Sequence, residues 1–243
     1  RAYGIFCASG SIGGMLGHFV AAAVTEEHGA FFAMTMALGP LLVLSVVTIV
    51  FHRLRPDAGP RPAEKTRDYA GGIRVLLASK YLVWLLVLIL LTQVAITLID
   101  LHFNQVMEAA YPDADRRAVA LGHVYFAIDG IALVLQLATA WILEAVGLTA
   151  TLIAIPALLS VSVALAVAHP RLLVVQTTRV ISKAFDYSLF RAAKEMLYIP
   201  LSYEEKTRGK AMIDMLAYRV AKGGAAALLG VLVVAGFAGQ VVM

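Results

Sequence analysis

The chain is poor in the residues from which many enzyme sites and extracellular folds are built. It has 243 residues but one cysteine, Cys7, so an intrachain disulfide is excluded, and that cysteine stands in no metal-ligand pattern. A phosphate-binding loop, a nucleophile elbow and metal-ligand spacing are all missing from the sequence. An enzyme is therefore the least favoured class, and we predict no cofactor or metal site. A signal peptide is not expected either.

Charge is scarce as well. Asp, Glu, Lys and Arg make up 15% of the residues and hydrophobic residues make up 60%, whereas soluble proteins have roughly 25% charged residues. Several apolar runs reach the roughly 20 residues that cross a bilayer as a helix. The formal charge of +4 lies mostly in short loops, where it sets orientation in a membrane and does not indicate nucleic-acid binding. We predict an all-α integral membrane protein in contact with a lipid bilayer.

The apolar runs predict about seven membrane spans. These are Tyr3–Val24, Ala30–Phe51, Tyr81–Val106, Ala118–Val146, Leu148–Val167, Leu172–Met196 and Lys210–Phe237. In span two, Gly39 and Pro40 predict a kink. In span one, Gly13 and Gly17 form a GxxxG pair, which predicts close docking of a neighbouring helix, with approach of a ligand as the alternative.

The longest polar stretch, His52–Lys80, is rich in Pro, Gly, Arg and Lys, which is typical of a linker. Within it, Gly72–Ser79 is predicted to form a short interfacial helix. The positive-inside rule places the linker, residues 53–80, on the cytoplasmic side. Alternating the spans places the loop 197–209 on that side too, and the loop Glu108–Arg117 outside.

Charged residues inside the last two spans are the clearest functional signal. A charge at the centre of a bilayer costs roughly 2.5–3.5 kcal/mol on insertion scales, so such residues face a protein interior or a watery cavity. Helical spacing places each set on one face. The two sets are Arg179, Lys183, Asp186, Phe190 and Lys194 in span six and Lys210, Asp214, Tyr218 and Lys222 in span seven. Two cationic faces predict the wall of a path for an anion.

Asp100 lies within span three, on the face that also carries Gln93, Thr97 and Asn104. An ionisable residue inside a span is by default a functional-site hypothesis. The alternative is that Asp100 lies near the outer end of the span and is simply hydrated.

Asp129 lies well inside span four and shares a face with Tyr125 and Gln136. We expect its partner to be Lys183 or Arg179, either in a structural interhelical ion pair or at a substrate site. The candidate substrate-binding residues are therefore Lys183, Arg179, Lys210, Asp100, Asp214 and Asp129.

The segment 182–224 resembles a known family. It carries Tyr187–Phe190, Lys194–Leu201, Glu204–Lys206 and Gly209–Asp214, a long string similar to motifs of the nucleotide (ATP/ADP) translocase family of plastids and intracellular bacteria. A weaker similarity supports it, because Ile96–Asp100 occupies the place of an I-N-L-V-E-type segment in the seventh helix of that family.

The resemblance implies a fold related to the major facilitator superfamily, with twelve helices in two halves joined by a cytoplasmic linker. On that map the chain covers helices five to eleven. Residues 1–52 are the last helices of the N-terminal half, 53–80 the linker, and 81–243 an incomplete C-terminal bundle. The resemblance also implies alternating access with substrate held between the halves. Asp100 stands where the family has Glu, and Lys210 where it has Lys.

The sequence departs from the family pattern at several of these positions. Asp replaces Glu at 100, and Asn104 lies near a position where the family has Lys. Arg191 and Ala192 replace an Asp-Pro pair. The fold follows from the resemblance, whereas nucleotide specificity does not.

Two functions of different classes remain open. The first is a secondary transporter of an anionic metabolite, including phosphorylated ones, in a bacterial inner membrane. The second is a non-transporting membrane subunit or scaffold, which the ends of the chain favour, because they look like those of part of a larger or split protein. Its partners would be the remaining helices or a neighbouring subunit. A cavity lined by Arg179, Lys183 and Asp214 would favour transport, whereas complete pairing of these charges would favour the scaffold.

Overall fold

The computed structural model describes residues 2–54 and 69–232, and every regular element within these ranges is helical. In chain order the α-helices are α1 (Ala2–His28), α2 (Ala30–Met36), α3 (Leu38–Leu54), α4 (Tyr69–Ala78), α5 (Lys80–Ala110), α6 (Ala114–Val146), α7 (Leu148–Ala168), α8 (Leu172–Phe185), α9 (Arg191–Leu197) and α10 (Lys210–Leu232). π-helical turns, Asp186–Phe190 and Glu205–Gly209, lead directly into α9 and α10. The prediction of an all-α protein is confirmed for the residues described.

Four helical stretches in these ranges are long and apolar enough to cross a membrane. They are Ala30–Leu54, Lys80–Ala110, Ala114–Val146 and Leu148–Ala168, and they correspond to predicted spans two to five. This agrees with an integral membrane helical bundle. Spans one, six and seven stay predictions, and the end of span seven, 233–237, lies outside the described residues.

The second span is interrupted close to its predicted kink. Helix α2 ends at Met36 and α3 begins at Leu38, so the break lies at Ala37, three residues before Pro40. Proline has no backbone N–H, so the carbonyl four residues earlier, that of Met36, loses its helical partner. The break therefore follows from Pro40.

The predicted external loop Glu108–Arg117 is shorter than expected. Helix α5 continues to Ala110 and α6 begins at Ala114. The start of α6 is fixed by Asp113, whose side chain accepts a hydrogen bond from the backbone N–H of Arg116 at 2.8 Å. An Asp at this position satisfies a backbone donor that the first turn of a helix leaves free. For this reason the helix begins at Ala114, before the predicted start at Ala118.

Helix α8 lies between α5, α6 and α7 and contacts all three. Two buried apolar clusters surround it and its π-helical continuation. One joins α4, α5, α7 and α10 through Leu76, Leu82, Ile89, Ile155, Phe190 and Ile213. The other joins α5, α6 and α8 through Phe103, Met107, Val124, Ile128 and Val175. This packing brings α8 and its π-helical continuation into contact with the other helices that carry charged residues.

Helix α1 packs along α6, but not through the predicted glycine pair. A Cβ atom at Gly13 or Gly17 would have nothing within 4 Å, whereas one at Gly122 of α6 would lie 2.8 Å from the Cβ of Ala22. Among the described residues, no helix therefore docks at Gly13 and Gly17, contrary to the prediction. The buried face of α1 instead carries Ala8, Ser11, Ala22 and Thr25, spaced by whole helical turns.

The short helix predicted over Gly72–Ser79 is present as α4, which packs against the start of α10, while its interfacial position stays a prediction. A Cβ at Gly72 would lie 2.7 Å from Cγ of Met212, so a larger residue here would force the Met212 side chain to move. Leu76 is buried in the same contact. The rest of the predicted linker, residues 55–68, lies outside the described residues.

A capping box positions the first turn leading into α10. The Ser202 hydroxyl and its backbone N–H donate to the Glu205 carboxylate at 2.8 and 3.0 Å, and the Glu205 N–H donates to the Ser202 hydroxyl at 3.4 Å. Hydrogen bonds from the Ser202 backbone first, then from the hydroxyls of Ser202 and Ser79, lower the pKa of Glu205. The box fixes where the helix carrying Lys210 begins.

Candidate functional site

A single charged wall is formed where α5, α8, α9 and α10 meet. We use this name for the set Asp100, Arg179, Lys183, Asp186, Arg191, Lys194, Glu195, Lys210 and Asp214. At its centre, the Asp100 carboxylate binds two cations of α8, the guanidinium of Arg179 and the Nζ of Lys183, the latter at 3.4 Å. Asp100 is thus held by two ion pairs and is not merely hydrated near a helix end.

Arg179 is the most enclosed charge in the wall, with 2% of its surface exposed. Its guanidinium lies between the rings of Phe103 and Tyr125, at 5.5 and 5.8 Å from their centroids. Its Nη2 donates to the Tyr125 hydroxyl at 3.4 Å, while Nε and Nη1 have no hydrogen-bond partner. Because a buried charge is costly without a counterion, Arg179 depends on Asp100.

Two further ion pairs join α9 to α10. Lys194 donates to Asp214 at 3.0 Å, and Lys210 donates to Glu195 at 2.6 Å. Lys210 also lies 5.0 Å from the ring centroid of Tyr198. The side chains of Lys210 and Glu195 are 32% and 35% exposed, so this pair is accessible to solvent, whereas Arg179 is enclosed.

The π-helical turn Asp186–Phe190 reorients the middle of the sixth span. Asp186 accepts a hydrogen bond from Gln93 of α5 at 3.0 Å, and the carbonyl of Tyr187 accepts one from Gln136 of α6 at 3.1 Å. A π turn shifts the helical register and commonly occurs at functional sites. The sequence predicted an unbroken helix here, because no residue type is a specific signal for a π turn.

The partner predicted for Asp129 is wrong. Its Oδ2 lies 2.9 Å from Nδ1 of His18 on α1, whereas Arg179 and Lys183 are engaged by Asp100. The imidazole of His18 also stacks on Tyr125, with 5.2 Å between ring centroids. Asp129 therefore belongs to the α1–α6 contact, and His18 is a polar partner that the sequence did not reveal.

Gly14 makes room for this pair, and we expect Gly14→Ala to destabilise the protein. A Cβ at Gly14 would lie 2.5 Å from Oδ2 of Asp129, which forces either the His18 contact or the helix packing to change. Overpacking of this kind costs about 1–3 kcal/mol.

Thermal unfolding in detergent measures this loss, with Gly13→Ala as the matched control. A Cβ at Gly13 meets open space, and both variants gain the same helix propensity from alanine, so the difference isolates the clash. Equal unfolding temperatures for the two variants would contradict the role of Gly14.

The structure brings five of the six predicted site residues to the charged wall and sets Asp129 apart. Each of the five is paired with an opposite charge. Two of the partners, Lys194 and Glu195, belong to the helix that carried the sequence signal but were not named as site residues. Its place on the predicted charged face of span six, at helical spacing from Asp186 and Phe190, was the signal that could have added Lys194 to the site.

Comparison with known proteins identifies related sequences. The profile of the family described as TLC ATP/ADP transporter matches residues 59–241. "ADP,ATP carrier protein 1" of Chlamydia trachomatis is 51% identical over 61 residues, covering 25% of this chain and 12% of that protein. The protein of the same name from Rickettsia prowazekii is 25% identical over 235 residues, covering 84% of this chain.

A plant relative, the "Plastidic ATP/ADP-transporter" of Solanum tuberosum, is 26% identical over 174 residues, covering 63% of this chain and 28% of that protein. The chain spans 47% of the length of the Rickettsia protein. No solved structure gives a significant match.

Proposed function

Because the chain belongs to the TLC ATP/ADP transporter family, we propose that it forms part of a membrane carrier that exchanges ATP and ADP by alternating access. The observation that carries the proposal is the charged wall. Its ion pairs lie on helices inside the region matched by the family profile, and three of their side chains, Lys210, Glu195 and Asp214, are only partly buried. A nucleotide phosphate is the anion that such lysines would bind.

The proposed architecture is the major facilitator fold, with seven spans corresponding to helices five to eleven of twelve. Residues 1–52 would complete the N-terminal half, 53–80 the linker and 81–243 most of the C-terminal half. Helices α2 and α3 support this division, since they contain no buried residue within the described chain. Apolar helices of that kind require lipid or further helices around them.

Substrate would bind against the wall near the bilayer midplane, between the halves. Lysines 194 and 210 are held by carboxylates until a phosphate replaces those partners. Exchanging one set of ion pairs for another keeps each charge compensated in a low-dielectric site. Asp100 would hold Arg179 and Lys183 in place, as a positioning residue for the cations.

The proposed location is a bacterial inner membrane, with the linker 53–80 and the loop 197–209 on the cytoplasmic side. Basic residues support this side for the linker, which carries Arg53, Arg55, Arg61, Lys65, Arg67, Arg74 and Lys80. The relatives in Chlamydia and Rickettsia support a bacterial membrane.

One observation favours the scaffold alternative. Arg179, Lys183 and Asp214 are all paired, which is the pattern expected of a structural subunit. Family membership outweighs it, because ion pairs that a substrate can replace are compatible with transport.

The test is nucleotide exchange by the purified protein in liposomes preloaded with ADP and supplied with labelled ATP outside. A transporter takes up label only when internal ADP is present, and a thermal-shift titration should show stabilisation of about 2.7 kcal/mol at 100 times the dissociation constant. Absence of both exchange and stabilisation in a folded sample would reject the proposal in favour of the scaffold.

A further inference from the structure

Arg191 differs from the other cations of the charged wall. Each of the other four has a carboxylate within ion-pair distance, whereas Arg191, in the described part of the chain, has none. Its side chain is exposed. Arg191 lies within predicted span six. A charged residue inside a span is expected to face a watery cavity or an anion rather than lipid.

The guanidinium of Arg191 is directed into the span. Its Cζ lies 5.9 Å from the ring centroid of Tyr187, one helical turn before it. The contact with Tyr187 places the charge beside the π-helical turn that also carries Asp186.

Lys183 converges on the same ring from the other direction along the helix, with Nζ 5.6 Å from the centroid of Tyr187. The two cations are eight residues apart, so their backbones are separated by about 12 Å along the axis. Both are attracted to the face of the aromatic ring, a contact that supplies no negative charge; Lys183 has Asp100 as its counterion, whereas the contact with Tyr187 leaves the charge of Arg191 uncompensated.

The charges around Tyr187 do not balance. The groups near this ring are three cations, Arg179, Lys183 and Arg191, and two carboxylates, Asp100 and Asp186. Asp100 is shared by Arg179 and Lys183. Asp186 accepts its hydrogen bond from Gln93. Three cations and two carboxylates leave one positive charge in excess, at the exposed end where Arg191 lies.

We propose that Arg191, with Lys183 and the ring of Tyr187, forms a subsite for the terminal phosphate of the nucleotide. The inference rests on the proposed function and deepens it by naming a residue that selects for phosphate number. A guanidinium presents a planar fork of donors that matches a phosphate with two parallel hydrogen bonds. The excess charge makes the subsite prefer the most anionic nucleotide, so ATP should bind best, then ADP, then AMP.

The test is binding of ATP, ADP and AMP to the purified protein by isothermal titration, comparing wild type with Arg191→Gln and Arg191→Lys. Arg191→Gln keeps a polar side chain but removes the charge and the guanidinium fork. We expect it to weaken ATP binding by about 10-fold or more, ADP binding less, and AMP binding hardly at all. Arg191→Lys keeps the charge without the fork and should fall between.

Arg171→Gln is the matched control, because Arg171 is an exposed arginine in the turn before α8, away from the wall. It changes the net charge equally and should leave all three affinities unchanged. Unfolding temperatures without nucleotide confirm that each variant is folded. Equal affinities for wild type and Arg191→Gln would overturn the subsite alone. Failure of the wild type to bind any of the three nucleotides would overturn the proposed function itself.

Discussion

Asp100→Asn is expected to lower the stability of the protein by about 3 kcal/mol. The change removes the carboxylate that binds both Arg179 and Lys183. Arg179 is 2% exposed and two of its nitrogens already lack a hydrogen-bond partner, so its charge would be left buried and uncompensated. Breaking a buried ion pair in this way costs about 3–5 kcal/mol, and the lower end applies because the Asp100 side chain is 29% exposed.

Thermal unfolding in detergent measures this loss, with Glu108→Gln as its control. Glu108 is an exposed acid near the end of the same helix, and its conversion to an amide should change the unfolding temperature little. Asp100→Glu restores the charge and is expected to recover most of the stability. If Asp100→Asn and Glu108→Gln unfold at the same temperature, Asp100 does not compensate Arg179.

Lys210→Ala is expected to reduce ATP/ADP exchange to background, by about 30-fold or more, with only a small loss of stability. Truncating one member of a hydrogen-bonded charge pair at a binding interface costs about 2–5 kcal/mol. The effect on folding is smaller because Lys210 and Glu195 are each about one third exposed, and ion pairs in contact with solvent contribute about 0–1 kcal/mol. Exchange in liposomes and thermal unfolding in detergent separate the two effects.

Two further variants show how Lys210 acts. Lys206→Ala removes an exposed lysine from the preceding turn and should leave exchange unchanged. The double variant Lys210→Ala with Glu195→Gln removes both members of the pair, so no carboxylate is left without its lysine. If exchange returns in the double variant, Lys210 only neutralises Glu195 and does not bind the substrate.

The paired charges and the proposed transport cycle have a common physical basis. Lys194 and Lys210 are bound by Asp214 and Glu195 across the α9–α10 contact, so each lysine stays compensated when no substrate is present. A phosphate that replaces those carboxylates meets cations already in position. The pairing thus lowers the free-energy cost of burying the lysine charges when no substrate is bound, and it still allows an anion to bind.

Much of the helical framework could be predicted from the order of residues. The apolar runs of spans two to five correspond to four stretches able to cross a membrane, because apolar length is a property of the chain itself. The kink predicted at Gly39 and Pro40 lies within three residues of the observed break at Ala37, because the N–H that proline lacks affects only the neighbouring helical turn. The family resemblance in 182–224 lies inside the region that the family profile matches.

The sequence also placed the wall charges on common helical faces, because helical periodicity depends only on spacing. It could not assign their partners. Which carboxylate lies within 4 Å of which cation depends on how α5, α8 and α10 are rotated and packed, and on the π turn that shifts the register of the sixth span. The expected pairing of Asp129 failed for this reason.

By itself, then, the sequence determined where the helices run, which charges share a face, and which family the chain resembles, since all three depend on residue order alone. Tertiary packing decided the rest. It paired Asp129 with His18 and Asp100 with Arg179 and Lys183, and it left Arg191 without a carboxylate partner among the described residues. These ion pairs join residues far apart in the chain, and only the packing of the helices brings such residues within reach of each other.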